Sequence, residues 1–364
     1  MKSYSLINIK PLLDNFMIMP TPLNISFWWT NGSTLGILII MQTITGLMLS
    51  SEYSSCTSTS FFSILSIMKN SSYGWVTRFS HSNGASIFMF LIYSHIMRSI
   101  YYNNNKNKLT YMTGMIIFIM TMISVFLGYV LPWGQMSFWG ATVITSLTTV
   151  IPFTGKTMAS WLWGTYTVGS YTLKHFFMLH FILPLLIIMM IMIHINILHL
   201  KGSKNSMLII YNLEKLSFSP LMIFKDMPPF FILITILMAM NMFNPYLVMD
   251  PQNFIEANPM LTPTHIKPEW YFLFSYAILR SIANKIGGVL ALIFSILIFM
   301  VPMMNPPSSP MNYNYSLKLL IYWAIIVNLV ILTNLGGSVI SDPLTTISQY
   351  MGISWFLLFF LYYP

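Results

Sequence analysis

Two stretches, HSNGASIFMFLIYSH (His81–His95) and HFILPLLIIMMIMIH (His180–His194), decide how this chain folds. Each begins and ends on a histidine, and neither holds a charged residue between them. Over the 14 residues that separate the histidines, an α-helix rises about 21 Å and stops about 40° short of whole turns, so both histidines of a stretch look the same way. Ionisable groups inside an apolar helix are costly in lipid and mark function unless a packing hydrogen bond or a proton path explains them.

The rest of the composition supports a membrane setting. The 364 residues are 56% hydrophobic and only 7% charged, with a mean hydropathy of +0.70, whereas a soluble domain carries about a quarter charged residues. A water-soluble globule is excluded. The net charge of +9 comes from 17 Lys and Arg scattered in loops between apolar runs, which argues against nucleic acid as a partner. The single cysteine, Cys56, excludes an internal disulfide, a Cys-based zinc site and a CxxCH attachment, so any haem is held noncovalently. Lys2, Lys10 and Asp14 precede the first apolar run, and no cleavable signal pattern is present. The 31 Met, 27 Phe and 20 Tyr read as flexible apolar filler and fit an AT-biased organellar gene.

Crossing ~30 Å of hydrocarbon takes about 20 apolar residues as a helix. Eight spans meet that need: A (Phe27–Leu49), B (Ser82–Met97), C (Thr110–Val130), D (Phe176–Leu198), E (Pro229–Met249), F (Ile286–Met303), G (Leu319–Leu335) and H (Thr345–Tyr363). The expected fold is an all-α integral membrane protein whose first four helices form a di-haem bundle, with an N-terminal domain over 1–210 and a C-terminal membrane domain over 211–364. Two segments, Pro132–Trp163 and Asp250–Asn284, are rich in Pro, Trp and Ser and read as functional loops. Within the first, Met136–Val150 is expected to lie flat in the interface, with Trp139, Trp161 and Trp163 at headgroup level. Eight spans put both termini on one side, which carries 10 Lys and Arg against 7 opposite, largely through Lys201, Lys204, Lys215 and Lys225. That side is expected to be the inside.

Spans B and D run parallel, so His81 meets His180 at one depth and His95 meets His194 at another. Two facing imidazoles at each of two levels suit two flat haems clamped axially in a bundle core. Zinc fits poorly, because ligands ~21 Å apart cannot serve one ion. Glycines repeat the spacing: Gly32 and Gly46 on A, Gly114 and Gly128 on C. Gly46 and Gly128 fall level with the first histidine pair, Gly32 and Gly114 with the second, leaving room for a macrocycle edge. Small residues also serve plain helix contact. Arg78 and Arg98 stand three residues outside His81 and His95, placed for haem propionates or for interfacial anchoring.

These residues sit in longer motifs: FWWTNGSTLG (27–36), HSNGAS (81–86), GYVLPWGQMSFWGATVIT (128–145), HFILP (180–184), HIKPEWYFLFSYAILRSI (265–282) and NKIGG (284–288). The chain closely resembles the mitochondrial cytochrome b family, the haem-bearing membrane subunits of ubiquinol:cytochrome c reductase (complex III), over nearly its whole length. One chain with two equal histidine spacings favours the mitochondrial or bacterial type over the split plastid type. The resemblance implies two noncovalent haems b, with His81 and His180 holding the low-potential haem near the outer side and His95 and His194 the high-potential haem near the inner side. It implies a quinol-oxidising pocket at PEWY, where Pro268, Glu269 and Tyr271 stand, with Glu269 accepting a proton and Phe126, Gly140, Ile144, Phe272 and Tyr276 lining the walls. Unaided by the resemblance, a carboxylate in an aromatic loop reads equally as a structural ion-pair partner. The resemblance further implies a quinone-reducing site at Ser33, His199, Lys225 and Asp226; snorkelling alone explains Lys225 equally well.

The implied activity is oxidation of ubiquinol outside and reduction of quinone inside, coupled to proton translocation. The implied partners are a Rieske iron-sulfur subunit, a c-type cytochrome subunit and accessory subunits in a dimeric complex of the mitochondrial inner membrane, both termini on the matrix side. The chain departs from the family pattern at Thr30, Gly169, Ser170 and His175, which stand where relatives carry other residues. Two other readings remain in view: a di-haem oxidoreductase with a different donor, and a haem-free transporter with a histidine proton relay.

Overall fold

The computed structural model describes residues 17–102, 107–203, 215–304 and 315–363. In chain order its helices are α1 (Asn31–Ser50), a short α2 (Ser60–Asn70), α3 (Gly74–Tyr101), α4 (Lys108–Val130), α5 (Gln135–Ser146), α6 (Gly155–Trp163) and α7 (Ser170–Lys201). There follow α8 (Leu221–Phe243), α9 (Leu273–Ser281), α10 (Lys285–Leu297), a one-turn α11 (Val301–Met304), α12 (Tyr315–Gly337) and α13 (Leu344–Tyr362). Lys2, Lys10, Asp14 and Lys204 lie outside the described residues.

Among the described residues, seven helical stretches are long and apolar enough to cross a membrane, and they match spans A and C to H. Span B is the exception in composition only. It lies within α3, whose 28 residues are about 42 Å long. Its polar side chains Ser80, Asn83 and Ser86 are buried, so the bundle interior, not lipid, receives them. On α1, Ile40, Ile44, Leu47 and Met48 are exposed, as a lipid-facing surface requires.

Some boundaries differ from the sequence expectation. Span E is shifted toward the N-terminus: α8 begins at Leu221, passes through Pro228 and Pro229, and ends at Phe243. Pro228 and Pro229 stand inside this helix, seven and eight residues past Leu221, where their missing N–H groups forgo the bonds to the carbonyls four residues back, whereas Asn244 and Pro245 lie past the helix in the turn that follows. Span D is lengthened to the 32 residues of α7, stopped by Gly202 at φ +73°, a conformation glycine adopts without strain. The segment Pro132–Trp163 contains α5 and α6, and Asp250–Asn284, expected to be a loop, contains the helix α9.

Helix α1 packs along α3 and α4 along α7, giving a four-helix bundle, while α9 is wedged between α12, α13 and α10. One buried cluster runs through both halves, joining Phe88, Met89 and Ile92 of α3 to Phe274, Phe299 and Trp355. Polar links reinforce it. Asn83 donates through Nδ2 to Asn241 Oδ1 (2.9 Å) and to the Pro245 carbonyl (3.2 Å); Asn241 donates to Ser80 Oγ (3.0 Å). Tyr93 donates to the Tyr271 carbonyl (2.7 Å). Strand β1 (Pro20–Pro22) pairs antiparallel with β2 (Lys215–Ser217), tying the stretch before α1 to the stretch before α8.

Candidate functional site

The bundle brings His81 of α3 against His180 of α7, with ring centroids 6.2 Å apart and planes at 87°. Both line a cavity of about 240 Å³ with Gly46, Arg78, Gly128, Tyr129, Asp250, Glu269 and Tyr271. His95 and His194 line a second cavity of about 820 Å³ with Gly32, Ser33, Arg98, Gly114, His199, Lys225 and Asp226. The fold thus brings His81 to His180 and sets His95 and His194 in one cavity, whose lining also includes all four of Ser33, His199, Lys225 and Asp226.

The hydrogen bonds fix the histidine tautomers. Thr45 Oγ1 gives its hydrogen to the Met41 carbonyl (2.8 Å), so it is the acceptor for His81 Nδ1–H at 3.0 Å. Thr113 Oγ1 gives its hydrogen to the Thr110 carbonyl (2.9 Å) and accepts from His194 Nδ1–H at 3.0 Å. His180 Nδ1 faces the Ser124 carbonyl at 2.8 Å, which only accepts. In these three imidazoles the Nε2 lone pair is left for another partner, the arrangement of a metal-ligating histidine anchored through its other nitrogen. His95 differs: Arg98 Nη2 approaches its Nδ1 at 3.5 Å.

The glycines form the matching cradle. A Cβ on Gly128 would stand 2.5 Å from His180 Cε1, on Gly46 3.1 Å from His81 Cε1, on Gly114 3.1 Å from His194 Cε1, and on Gly32 3.5 Å from His95 Cε1. Among the described residues no group of three or more His, Cys, Asp or Glu is placed to hold a metal ion. The donor set at each level is two imidazoles flanked by two side-chain-free surfaces, which fits an axially held planar macrocycle and not a four-ligand ion.

Glu269 reaches the first cavity from the loop before α9. Burial raises its carboxyl to about 7, Asp250 adding to the shift while the Tyr129 hydroxyl and the charges of Arg78 and Lys267 oppose it. A carboxyl balanced near neutrality exchanges protons readily. Burial also pushes the neighbouring Tyr271 hydroxyl upward, keeping it protonated. Lys267 forms a 3.7 Å ion pair with Asp250. Helix α5 is pinned beside this loop: Asn253 Oδ1 accepts from Ser137 N (2.9 Å) and Ser137 Oγ (2.7 Å), and Gln135 N donates to the Ile255 carbonyl (2.9 Å).

Not every predicted residue joins the cavity. Phe126, Gly140, Ile144, Pro268, Phe272 and Tyr276 are outside its lining. Phe126 stacks edge-on with Phe176, centroids 6.0 Å apart. Gly140 faces open space. Tyr276 donates to the Ile266 carbonyl (3.0 Å), bracing the loop that carries Glu269. At the second level Lys225 Nζ donates to the Leu23 (2.9 Å) and Ile25 (3.3 Å) carbonyls, and Ser33, which donates to the Thr30 carbonyl (2.8 Å), shares the cavity with Asp226. Of the departures, Thr30 is buried and caps its own turn through the Phe27 carbonyl (2.7 Å), and the His175 ring lies against Gly164.

The sequence reading missed Thr45, Thr113, Ser124 and Tyr129. Two of them had a visible signal, since a threonine directly precedes each of Gly46 and Gly114.

Two family models match the chain. The Cytochrome b/b6/petB model covers residues 16–202, and the Cytochrome b(C-terminal)/b6/petD model covers residues 256–356. Among solved structures, a chain of a hyperthermophilic respiratory Complex III is similar with a TM-score of 0.90 and 26% identity, over 97% of this chain and 95% of that one. With matched motifs spanning more than half its length and the same architecture throughout, the chain belongs to the cytochrome b family.

Proposed function

We propose that the chain is the core membrane subunit of a respiratory complex III, oxidising ubiquinol at the His81–His180 level and reducing quinone at the His95–His194 level, with two noncovalent haems b between. When bound, these groups supply one-electron transfer between the two levels. The observation that carries the reading is the fourfold match of a histidine whose ring edge meets a glycine, at two depths of one bundle.

In this reading His81 and His180 hold one group, with Thr45 and the Ser124 carbonyl fixing their rings, and Arg78 supplies a countercharge. His95 and His194 hold the other beside Arg98. Glu269 accepts a proton from quinol, aided by Tyr129 and Tyr271, and releases it toward the outer side. Phe126, Gly140, Ile144, Pro268, Phe272 and Tyr276 shape the walls around it when quinol binds. On the inner side Lys225 offers charge, and Asp226, His199 and Ser33 offer protons to reduced quinone. Negative charge moved inward over ~21 Å of a ~30 Å core works against a membrane potential at up to ~2.3 kcal/mol per 100 mV. Residues 1–210 form the electron-carrying half and 211–364 the half that completes the quinol pocket, cooperating with a Rieske iron-sulfur subunit, a c-type cytochrome and accessory subunits in a dimer. The setting is the mitochondrial inner membrane with both termini on the matrix side.

The decisive experiment is an optical redox titration of the purified complex. Two haem signals per chain with separated potentials are expected. No haem absorbance would overturn the reading in favour of a proton relay.

A further inference from the structure

The second cavity contains polar groups that neither the histidine pairs nor the quinone residues use. Asn107 is the N-cap of α4, a position where asparagine ordinarily accepts a hydrogen bond from the first turn. It makes no such bond. The residue is 7% exposed, and both its Oδ1 and its Nδ2 are buried without a partner among the described residues. One turn on, the buried Thr110 Oγ1 is likewise without a partner. Both residues line the cavity that holds His95, Arg98 and His194. The N–H groups of Lys108, Leu109 and Thr110 precede the first intrahelical bond, from Tyr111 N to the Asn107 carbonyl (3.0 Å), so this helix end also carries partial positive charge.

Leaving a buried amide and a buried hydroxyl unpaired costs each its hydration with nothing in return. That cost persists in a stable fold when a ligand supplies the partner. The ligand must accept hydrogen bonds from an amide N–H and a hydroxyl, favour a helix N-terminus and tolerate an arginine nearby, which is the description of a carboxylate.

We propose that Asn107 and Thr110 at the start of α4 receive a carboxylate side arm of the macrocycle clamped by His95 and His194, sharing its charge with Arg98. The proposal rests on the haem reading above. It adds an assignment of residues: an unused helix cap and its neighbouring hydroxyl become a positioning site that sets the reduction potential of one haem and not the other. A carboxylate whose charge is met by donors disfavours the reduced iron less than a bare one, so the donors raise the potential.

The test is an optical redox titration of the intact complex carrying Asn107→Leu, alongside wild type and Thr110→Val. Asn107→Leu is expected to change the oxidised-to-reduced ratio of the His95–His194 haem about three- to tenfold toward the oxidised form. That is a fall of about 28–59 mV at 59 mV per decade for one electron. Thr110→Val moves the same potential in the same direction by less, and the other haem is unmoved. Potentials unchanged in Asn107→Leu overturn the proposal, and so does an equal shift of both haems. Unchanged potentials with weakened quinone binding also overturn it, assigning the amide to the quinone. Should Asn107→Leu assemble without its haem, the near-isosteric Asn107→Asp decides. It sets a second negative group beside the carboxylate and lowers that one potential further than the threefold minimum; no shift overturns the proposal. A wild-type complex lacking haem overturns the parent reading as well, which separates the two failures.

Discussion

Replacing single glycines by alanine ranks the four cradle positions against each other. Ordinary carbon contacts sit at about 3.5–4.0 Å. A Cβ at position 128 would be 2.5 Å from His180 Cε1 and 3.0 Å from both ring nitrogens, so the ring must retreat by about 1 Å to restore normal contact. The ring is held by its 2.8 Å bond to the Ser124 carbonyl, and a retreat of that size breaks it, at about 0.5–1.5 kcal/mol. Loss of such an orienting bond weakens metal-group affinity about 10- to 100-fold. At Gly46 and Gly114 the nearest ring carbon is 3.1 Å from the added Cβ, and at Gly32 it is 3.5 Å, an ordinary contact. The expected order of haem loss is therefore Gly128→Ala first, Gly46→Ala and Gly114→Ala between, and Gly32→Ala least. Gly352→Ala, whose Cβ meets Ile278 and Ser281 at 3.6 and 3.8 Å, serves as the control that keeps both haems. Haem content per chain is read from the absorbance of the detergent-purified complex. Full retention in Gly128→Ala with loss in Gly32→Ala would refute the steric reasoning.

Two further outcomes follow from the same geometry. His194→Leu removes the haem of its own level and leaves the other detectable; a spectrum that keeps both would break the pairing of ligands by depth. Glu269, raised to about 7, accepts protons only above that pH, so quinol oxidation rises as pH climbs through about 7 and levels off beyond it. Glu269→Gln removes this rise and slows turnover with both haems kept, and an unaltered pH profile would take Glu269 out of the proton path.

The eight spans were legible because hydropathy depends on local composition, and the histidine and glycine spacings because helical geometry converts sequence interval into depth and direction. What composition hides is context. Helix α3 falls short of an apolar average because Ser80, Asn83 and Ser86 turn inward, and their partners, such as Asn241, lie 158 residues away from Asn83. Helices α2 and α9 are short, and their amphipathic faces make sense only against neighbours the sequence does not reveal. Within the site, His81, His95, His180 and His194 were readable, while the groups that orient them were not. Ser124 acts through its backbone carbonyl, which no residue identity encodes.

The same context explains why Glu269 and the histidines depend on one another. The loop carrying Glu269 belongs to the C-terminal half, yet Tyr93 of α3 holds the Tyr271 carbonyl (2.7 Å) and Tyr129 of α4 lines the same cavity as Glu269. Helix α3 also presents His81 and Arg78 to the cavity that Glu269 enters. A displacement of α3 therefore moves a histidine, a countercharge and the support of the proton-accepting loop together. The buried Asn83–Asn241 bond (2.9 Å) opposes that displacement from within the apolar interior, where an amide deprived of its partner has no water to turn to. The polar residues that depress the hydropathy of α3 are thus the ones that keep its two roles in register.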